Sequence, residues 1–194
     1  MDLKYKKTIE IPAFNRGTYD CEGETKVKSL HYYLRWDDSL EPNDRARSFF
    51  AFDLSKVKLS EHELITAAVI KIEMPSRGYA SPNQQEGFVV YVVEFNKIDD
   101  LLSGSKDVSS FEALADGSIV GEAIVNESTE GSIVEVELDK ETHFIIDQKR
   151  ESANSNIILG CILRPEPKKH GVRRLFHNSK PKHKSLLVVS VEAF

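Results

Sequence analysis

The chain is poor in the residues that most often carry chemistry. Its 194 residues include two cysteines, two methionines and a single tryptophan. Two cysteines, Cys21 and Cys161, do not make a disulfide framework. Cys161 stands inside the apolar run NIILGCIL (156–163), where a buried, inert thiol is the expected role. No apolar run approaches the roughly 18 residues of a membrane-spanning helix, which excludes a helical span. The opening MDLKYKKTIEIPAF has basic residues but neither an apolar core nor a small-residue cleavage pattern, and so does not read as a secretory signal. Together these absences point to a reducing, cytoplasmic setting. There is no Gly-x-Ser-x-Gly elbow, neither cysteine has the surroundings of a catalytic nucleophile, and His31, His62 and His143 are scattered. These gaps point away from an enzyme. A fixed-period repeat, a low-complexity tract and a linker are also missing.

What is present is strand pattern. Apolar residues make up 40% and charged residues 29%, which suits a globular chain long enough for one domain with a proper core. Seven stretches are rich in Val, Ile, Phe and Tyr and mostly end at Gly, Pro, Asn, Asp or Ser: 30–36, 48–54, 65–74, 88–95, 132–138, 156–163 and 185–191. In SIVEVEL (132–138), Val134, Val136 and Leu138 share one face while Ile133, Glu135 and Glu137 share the other, as in a strand with one wet side. FVVYVVEF (88–95) is apolar on both faces and predicts a central strand. Two segments read as helical. VSSFEALA (108–115) is short, and DKETHFIIDQKRE (139–151) opens on Asp139 as N-cap and closes on Lys149 and Arg150, a charge order that suits the helix dipole. Its Phe144, Ile145 and Gln148 make no wide apolar stripe, so this helix is expected on the edge of the fold. Many short strands with few helices predict a single all-β domain over 1–194, an antiparallel sandwich of jelly-roll type.

The net charge of −5 hides an asymmetry. Between Arg164 and Lys184 there are eight Lys or Arg against Glu166 alone, a balance of +7, while the remainder carries 18 basic and 30 acidic residues, −12. A basic segment on an acidic body weighs against binding nucleic acid over the whole surface. Lys168, Lys169, Arg173, Arg174, His177, Lys180 and Lys182 are the candidate ligand- or anion-binding residues. As a nucleic-acid site they would pair with Phe176 as a stacking ring, but no RNP, KH or helix-turn-helix pattern accompanies them. As a metal site, His170, His177 and His183 lack a helical spacing and a further ligand, so no metal is expected. As structure, RLFH (174–177) reads as a short strand, NSKPK as a turn and 185–191 as the last strand, a basic hairpin whose charge guards an exposed edge.

Other constellations carry less. Tyr32 and Trp36 fall on one side of LHYYLRW and, with Tyr79 in the RGYASP turn, form the candidate aromatic platform for a sugar; core packing is the competing reading. Asp37-Asp38 and Asp99-Asp100 are adjacent carboxylates in polar stretches, read as solvated loop rather than an acid/base pair across a cleft. DDSLEPND (37–44) is oxygen-rich enough for a structural calcium but lacks the glycine and terminal glutamate of an EF-hand, and no other cofactor is implied.

A likeness runs through these pieces. Residues 47–94 contain FAFDLS (50–55), ITAAVIKI (65–72) and PSRGYASP (75–82). FEALADGSIVGE (111–122), IVEVELD (133–139) and LFHNSKPKHKSLLVVSV (175–191) follow in order, with FNRGTYDCEGE (14–24) as an opening loop. This resembles exported bacterial β-sandwich proteins, among them cyanobacterial proteins with a PEP-CTERM sorting signal and the related DNRLRE-type domains, which are jelly-roll modules likened to carbohydrate-binding modules. The motifs are mostly structural: Phe50, Phe52 and Leu54 alternate onto one face, and Gly78 and Pro82 serve a turn. The resemblance implies a non-catalytic binding or assembly module with a glycan, including a polyanionic glycan, as the default ligand. The competing expectation is a cytoplasmic interaction protein that meets an acidic partner or nucleic acid through 164–184. Neither a membrane nor a defined oligomeric state is implied.

Overall fold

The computed structural model describes residues 5–27, 32–37, 44–74, 85–94, 98–126, 132–164, 172–175 and 184–193. Twelve strands are described: β1 (Lys6–Pro12), β2 (Asn15–Asp20), β3 (Thr25–Val27), β4 (Leu34–Asp37), β5 (Asp44–Asp53), β6 (Glu63–Glu73), β7 (Glu86–Val92), β8 (Ile119–Val125), β9 (Ile133–Glu137), β10 (Asn156–Leu163), β11 (Val172–Leu175) and β12 (Leu186–Ala193). Three short helices, α1 (Ile98–Ser103), α2 (Val108–Ala113) and α3 (Lys140–Arg150), and a 3-10 turn at Leu54–Lys56 complete the order.

The strands form two antiparallel sheets. The first runs β1-β12-β6-β9; the second runs β11-β4-β5-β10-β7-β8, with β2 on the other edge of β5 and β3 beyond it. β1, β12, β6 and β9 face β5, β10, β7 and β8, and along the chain these strands alternate between the sheets except at β7 and β8, which pair with each other. That is jelly-roll topology. β2, β3 and β4 are inserted between β1 and β5, and β11 between β10 and β12. The pairing registers place the end of β6, the start of β7, the end of β8, the start of β9, the end of β10 and the start of β12 at one end of the sandwich. The helices and the 3-10 turn occupy connections at the opposite end.

Alternation explains both layers of packing. Phe50 and Phe52 on β5 point between the sheets with Ile70, Ile72, Phe88, Val90, Leu159 and Leu187, all fully buried. Phe49 and Ala51, the intervening residues, face outward and are buried under α1 and α2 with Tyr19, Leu101, Phe111 and Leu114. Side chains hold these two helices down. Tyr19 donates to the Leu101 carbonyl at 2.8 Å, Asn15 to Leu102 at 2.9 Å, and Arg47 to the Phe111 carbonyl at 2.8 Å while lying 4.0 Å over the Phe111 ring. These contacts satisfy carbonyls that a helix end leaves unpaired. The layer is close enough that a Cβ at Gly160 would stand 2.3 Å from the Leu114 carbonyl oxygen.

The lateral edges are closed differently. At one corner the Leu138 N–H donates to Ala68 and the Asp139 N–H to Val120, each at 2.9 Å, so the chain leaving β9 ties the two sheets together. Asp139 then caps α3, accepting from the Thr142 N–H at 2.8 Å. At the other edge, Glu63 pins β1 to β6 across β12. Its carboxylate accepts from Tyr5, from Lys7 at 2.5 Å and from the Ser60 N–H at 2.7 Å. Those donors, Lys7 first and then Tyr5, hold the Glu63 carboxyl down at about 2.

Phe50, Phe52 and Leu54 share the inter-sheet core as expected, β7 is an interior strand, and on β9 Val136 is buried while Ile133, Glu135 and Glu137 are exposed. α3 starts after Asp139 and lies at the fold's edge, with Ile146 buried and Phe144 exposed. Four expectations are corrected. Asp99 and Asp100 are in the first turn of α1, where their charge suits the dipole, rather than in a loop. The strand expected from residue 30 begins at Leu34. Before it the Tyr33 N–H donates to Thr18 and its carbonyl accepts from Ser48, so side chains replace the ladder. The opening loop contains β2. Finally, β11 pairs with β4 and not with β12, which lies in the other sheet, so 172–191 is no hairpin; Phe176 and His177 are outside the described residues.

Phe50→Ala should lower unfolding free energy by about 3–5 kcal/mol, read from urea denaturation, because a fully buried ring leaves a cavity. Gly160→Ala should destabilise as well, through a backbone clash that repacking side chains cannot relieve. The depressed Glu63 carboxyl has a signed consequence. Its contribution is complete above its ordinary 4.5 and is lost as pH falls toward about 2. Thermal melts of Glu63→Gln should therefore lie below those of the parent at neutral pH and converge with them across that window.

Candidate functional site

The residues singled out in the sequence converge in part. On β11 and β4 the register sets Arg173 beside Trp36 and Arg174 beside Arg35. On β4 and β5 it sets Trp36 beside Arg45 and Arg35 beside Ala46. Arg173, Trp36 and Arg45 thus form one row across three adjacent strands, while Arg174 and Arg35 form the next row, which by strand alternation belongs to the opposite face of the sheet. Neighbouring strands lie about 4.8 Å apart, so the backbone positions of Arg173, Trp36 and Arg45 fall within a span of about 10 Å. This is the arginine edge of the second sheet.

Local geometry shows how the chain builds it. The Arg45 guanidinium lies 4.1 Å from the centre of the Trp36 ring, a cation–π stack in which both partners are half-buried. Trp36 packs its other surface against the inter-sheet core. One rung further, Asp37 is paired with Asp44. Guanidinium groups suit such a place because they stay charged when partly covered, stack on rings and bind carboxylate, sulfate or phosphate through two parallel bonds.

Tyr32 does not belong to this surface. It is 2% exposed, sits edge-on to Phe50 at 5.0 Å and donates to the Glu73 carbonyl at 2.9 Å. Burial pushes its phenol up, and Arg16 lies 5.4 Å from its ring. The expected Tyr32–Trp36 platform is therefore not formed: Tyr32 is core, and Trp36 keeps company with Arg45 instead. Lys168, Lys169, His177, Lys180, Lys182 and Tyr79 lie outside the described residues, as do residues 38–43 of the oxygen-rich stretch and His31, His170 and His183. Arg35 and Arg45 were not singled out, although the alternation in DRARSFF (44–50) was a usable signal. It continues the period of the buried Phe residues with charge.

Elsewhere the reactive groups stand apart. Cys161 is fully buried and its thiol is pushed up by desolvation, away from the thiolate form. His143 is 3.2 Å from the Leu138 carbonyl through Nε2, a backbone contact, and His62 lies in the exposed turn before β6. Among the described residues no three His, Cys, Asp or Glu are grouped to hold a metal ion. No helix among them is long and apolar enough to cross a membrane. Beside α3 and the start of β6 is a cleft of about 440 Å³ that includes Leu64, Lys140, His143, Phe144 and Asp147. Phe144 is 61% exposed there, a ring that the sequence pattern did not assign to a site.

No protein-family model matches the chain, and no curated protein matches it.

Trp36 is the only tryptophan, so its emission reports directly on the arginine edge. Arg45→Ala should shift that emission and cost about 0.5–1 kcal/mol of stability, the worth of a partly exposed cation–π contact. An unchanged spectrum would show that the stack does not persist in solution.

Proposed function

We propose that this chain is a non-catalytic binding module whose contact surface is the β11-β4-β5 edge and whose ligand is a polyanionic glycan. One observation carries the reading: the register that aligns Arg173, Trp36 and Arg45 across three strands. Those strands belong to one hydrogen-bonded sheet, so the residues are carried on paired backbone rather than on a tail. Rigid placement lowers the ordering cost of binding. Arginine recognises carboxylate and sulfate geometry, and the indole offers an apolar surface beside the charges for a sugar ring. The likeness of residues 47–94 to exported sandwich modules supports the same class of ligand.

A sulfated or uronate oligosaccharide should bind in a calorimetric titration, with affinity falling as salt rises because counterions are released. A neutral oligosaccharide of equal length should bind at least tenfold more weakly. Arg173→Glu with Arg174→Glu should remove the charged ligand's advantage. Equal binding of neutral and charged glycans would overturn the reading. A single-stranded oligonucleotide that binds as tightly with the same salt slope would move the ligand class from glycan to nucleic acid.

A further inference from the structure

We propose that the protein forms a symmetric dimer in which β1 of one copy pairs, antiparallel, with β1 of a second copy. The contact uses the outer edge of the first sheet and none of the arginines of the second, so it stands apart from the glycan reading. β1 is the end strand of the order β1-β12-β6-β9 and is 7 residues long. The other end strand of that sheet, β9, is closed by β8: the Asp139 N–H donates to Val120, and a Cβ at Gly121 would meet the Glu137 carbonyl oxygen at 2.7 Å. β3 and β11, which end the second sheet's branches, have 3 and 4 residues. Among the described residues β1 is therefore the one long open edge, and an open edge is a template for another strand.

The register with β12 fixes which backbone groups face outward. The Ala193 N–H donates to the Tyr5 carbonyl at 3.1 Å and the Ala13 N–H to the Ser185 carbonyl at 2.9 Å, and both pairs continue the β1–β12 register. Bonded pairs alternate along an antiparallel ladder, so Lys7, Ile9 and Ile11 direct their N–H and C=O to β12. Lys6, Thr8 and Glu10 point theirs away from it. The side chains of these three residues are exposed, whereas Ile11 is buried and Ile9 packs on the inter-sheet core.

Charge and hydrogen-bond phase together select a second copy as the occupant. With Thr8 set opposite Thr8, Lys6 of each copy meets Glu10 of the other. Every outward-facing residue then exchanges both of its N–H···O bonds with the residue opposite. Among the described residues Glu10 has no cationic partner, while Lys6 leans on Glu192 of β12 and remains 71% exposed. Opposite charges set face to face across two strands favour their register, and like charges oppose it. Sliding the partner by two residues one way sets Lys6 against Pro12, which has no N–H for the Lys6 carbonyl. Sliding it the other way sets Lys7 against Lys7. A two-fold contact of this kind closes at two copies and joins their four-stranded sheets into one. The seam is short beside the roughly 1,600 Å² of a standard interface, so the dimer is weak and concentration-dependent.

Sedimentation velocity and amide exchange test this. At low salt the parent's mass should rise with concentration from monomer to dimer and stop there. Over the same range, exchange at the Lys6, Thr8 and Glu10 amides should slow by about tenfold or more, while the Lys7, Ile9 and Ile11 amides stay protected throughout. Thr8→Pro removes an outward N–H that β12 does not use, so it should melt close to the parent and lose the dimer. Lys6→Glu and Glu10→Lys should each be monomeric alone. Mixed in equal amounts they should dimerise, because every cross-strand pair then joins opposite charges. A parent still monomeric at about 1 mM overturns the proposal. Association that Thr8→Pro leaves intact, or that grows past the dimer, overturns it as well. An extended peptide of unrelated sequence that slows the same amides in a monomeric parent would replace the second copy with another protein, and so overturn it too.

Discussion

The fold depends on β5 being buried on both faces. Phe50 and Phe52 fill the space between the sheets, while Phe49 and Ala51 fill the space beneath α1 and α2. Both edges of the strand are also taken, by β2 on one side and by β10 and then β4 on the other. Over Ser48–Ala51 the strand has two dry faces and two paired edges, and no surface there is left for water. Its register with each neighbour is therefore set by core packing, and a slip by one residue would exchange the two sets of aromatic contacts. Sandwich, outer helical layer and the short β4–β11 extension all take their positions from it.

The same strand supplies the candidate site. Toward its start, β5 passes from Phe49 and Phe50 to Arg47 and Arg45, and the core gives way to charge. Arg47 bends back over Phe111 and secures α2, whereas Arg45 stacks on Trp36. The far half of the strand is packed between two hydrophobic layers, and the near half continues the same hydrogen-bonded ladder.

Much of this was legible from residue order. Alternation in SIVEVEL and the two-faced FVVYVVEF followed from side-chain period alone, and the Asp139 cap followed from local backbone chemistry. The missed elements are those with weak local signal. β2 carries Asn, Arg, Gly, Thr and Asp among its residues, and it is a strand because β5 pairs with it and because its polar side chains find partners. Asn15 reaches a helix carbonyl and Thr18 stands 3.2 Å from Ser48. α1 is six residues long, too short to form without the core contact of Leu101. Tyr32 and Trp36 share a sequence parity that suggests one surface, but the chain enters β4 only at Leu34, and the two rings end in different surroundings.

By itself the sequence determined the class of fold, the identity of most core strands, the cap of α3 and the split between a basic segment and an acidic body. Each is a property of residues close together in the chain, where period, propensity and charge act directly. Only the tertiary structure decided that β11 pairs with β4, that Arg173 and Arg45 stand in register on either side of Trp36, and that β8 and β9 meet at a corner between the two sheets. The first of these joins residues more than a hundred positions apart. All three follow from which strands share a sheet, and that is chosen by burial of the whole set of apolar faces at once.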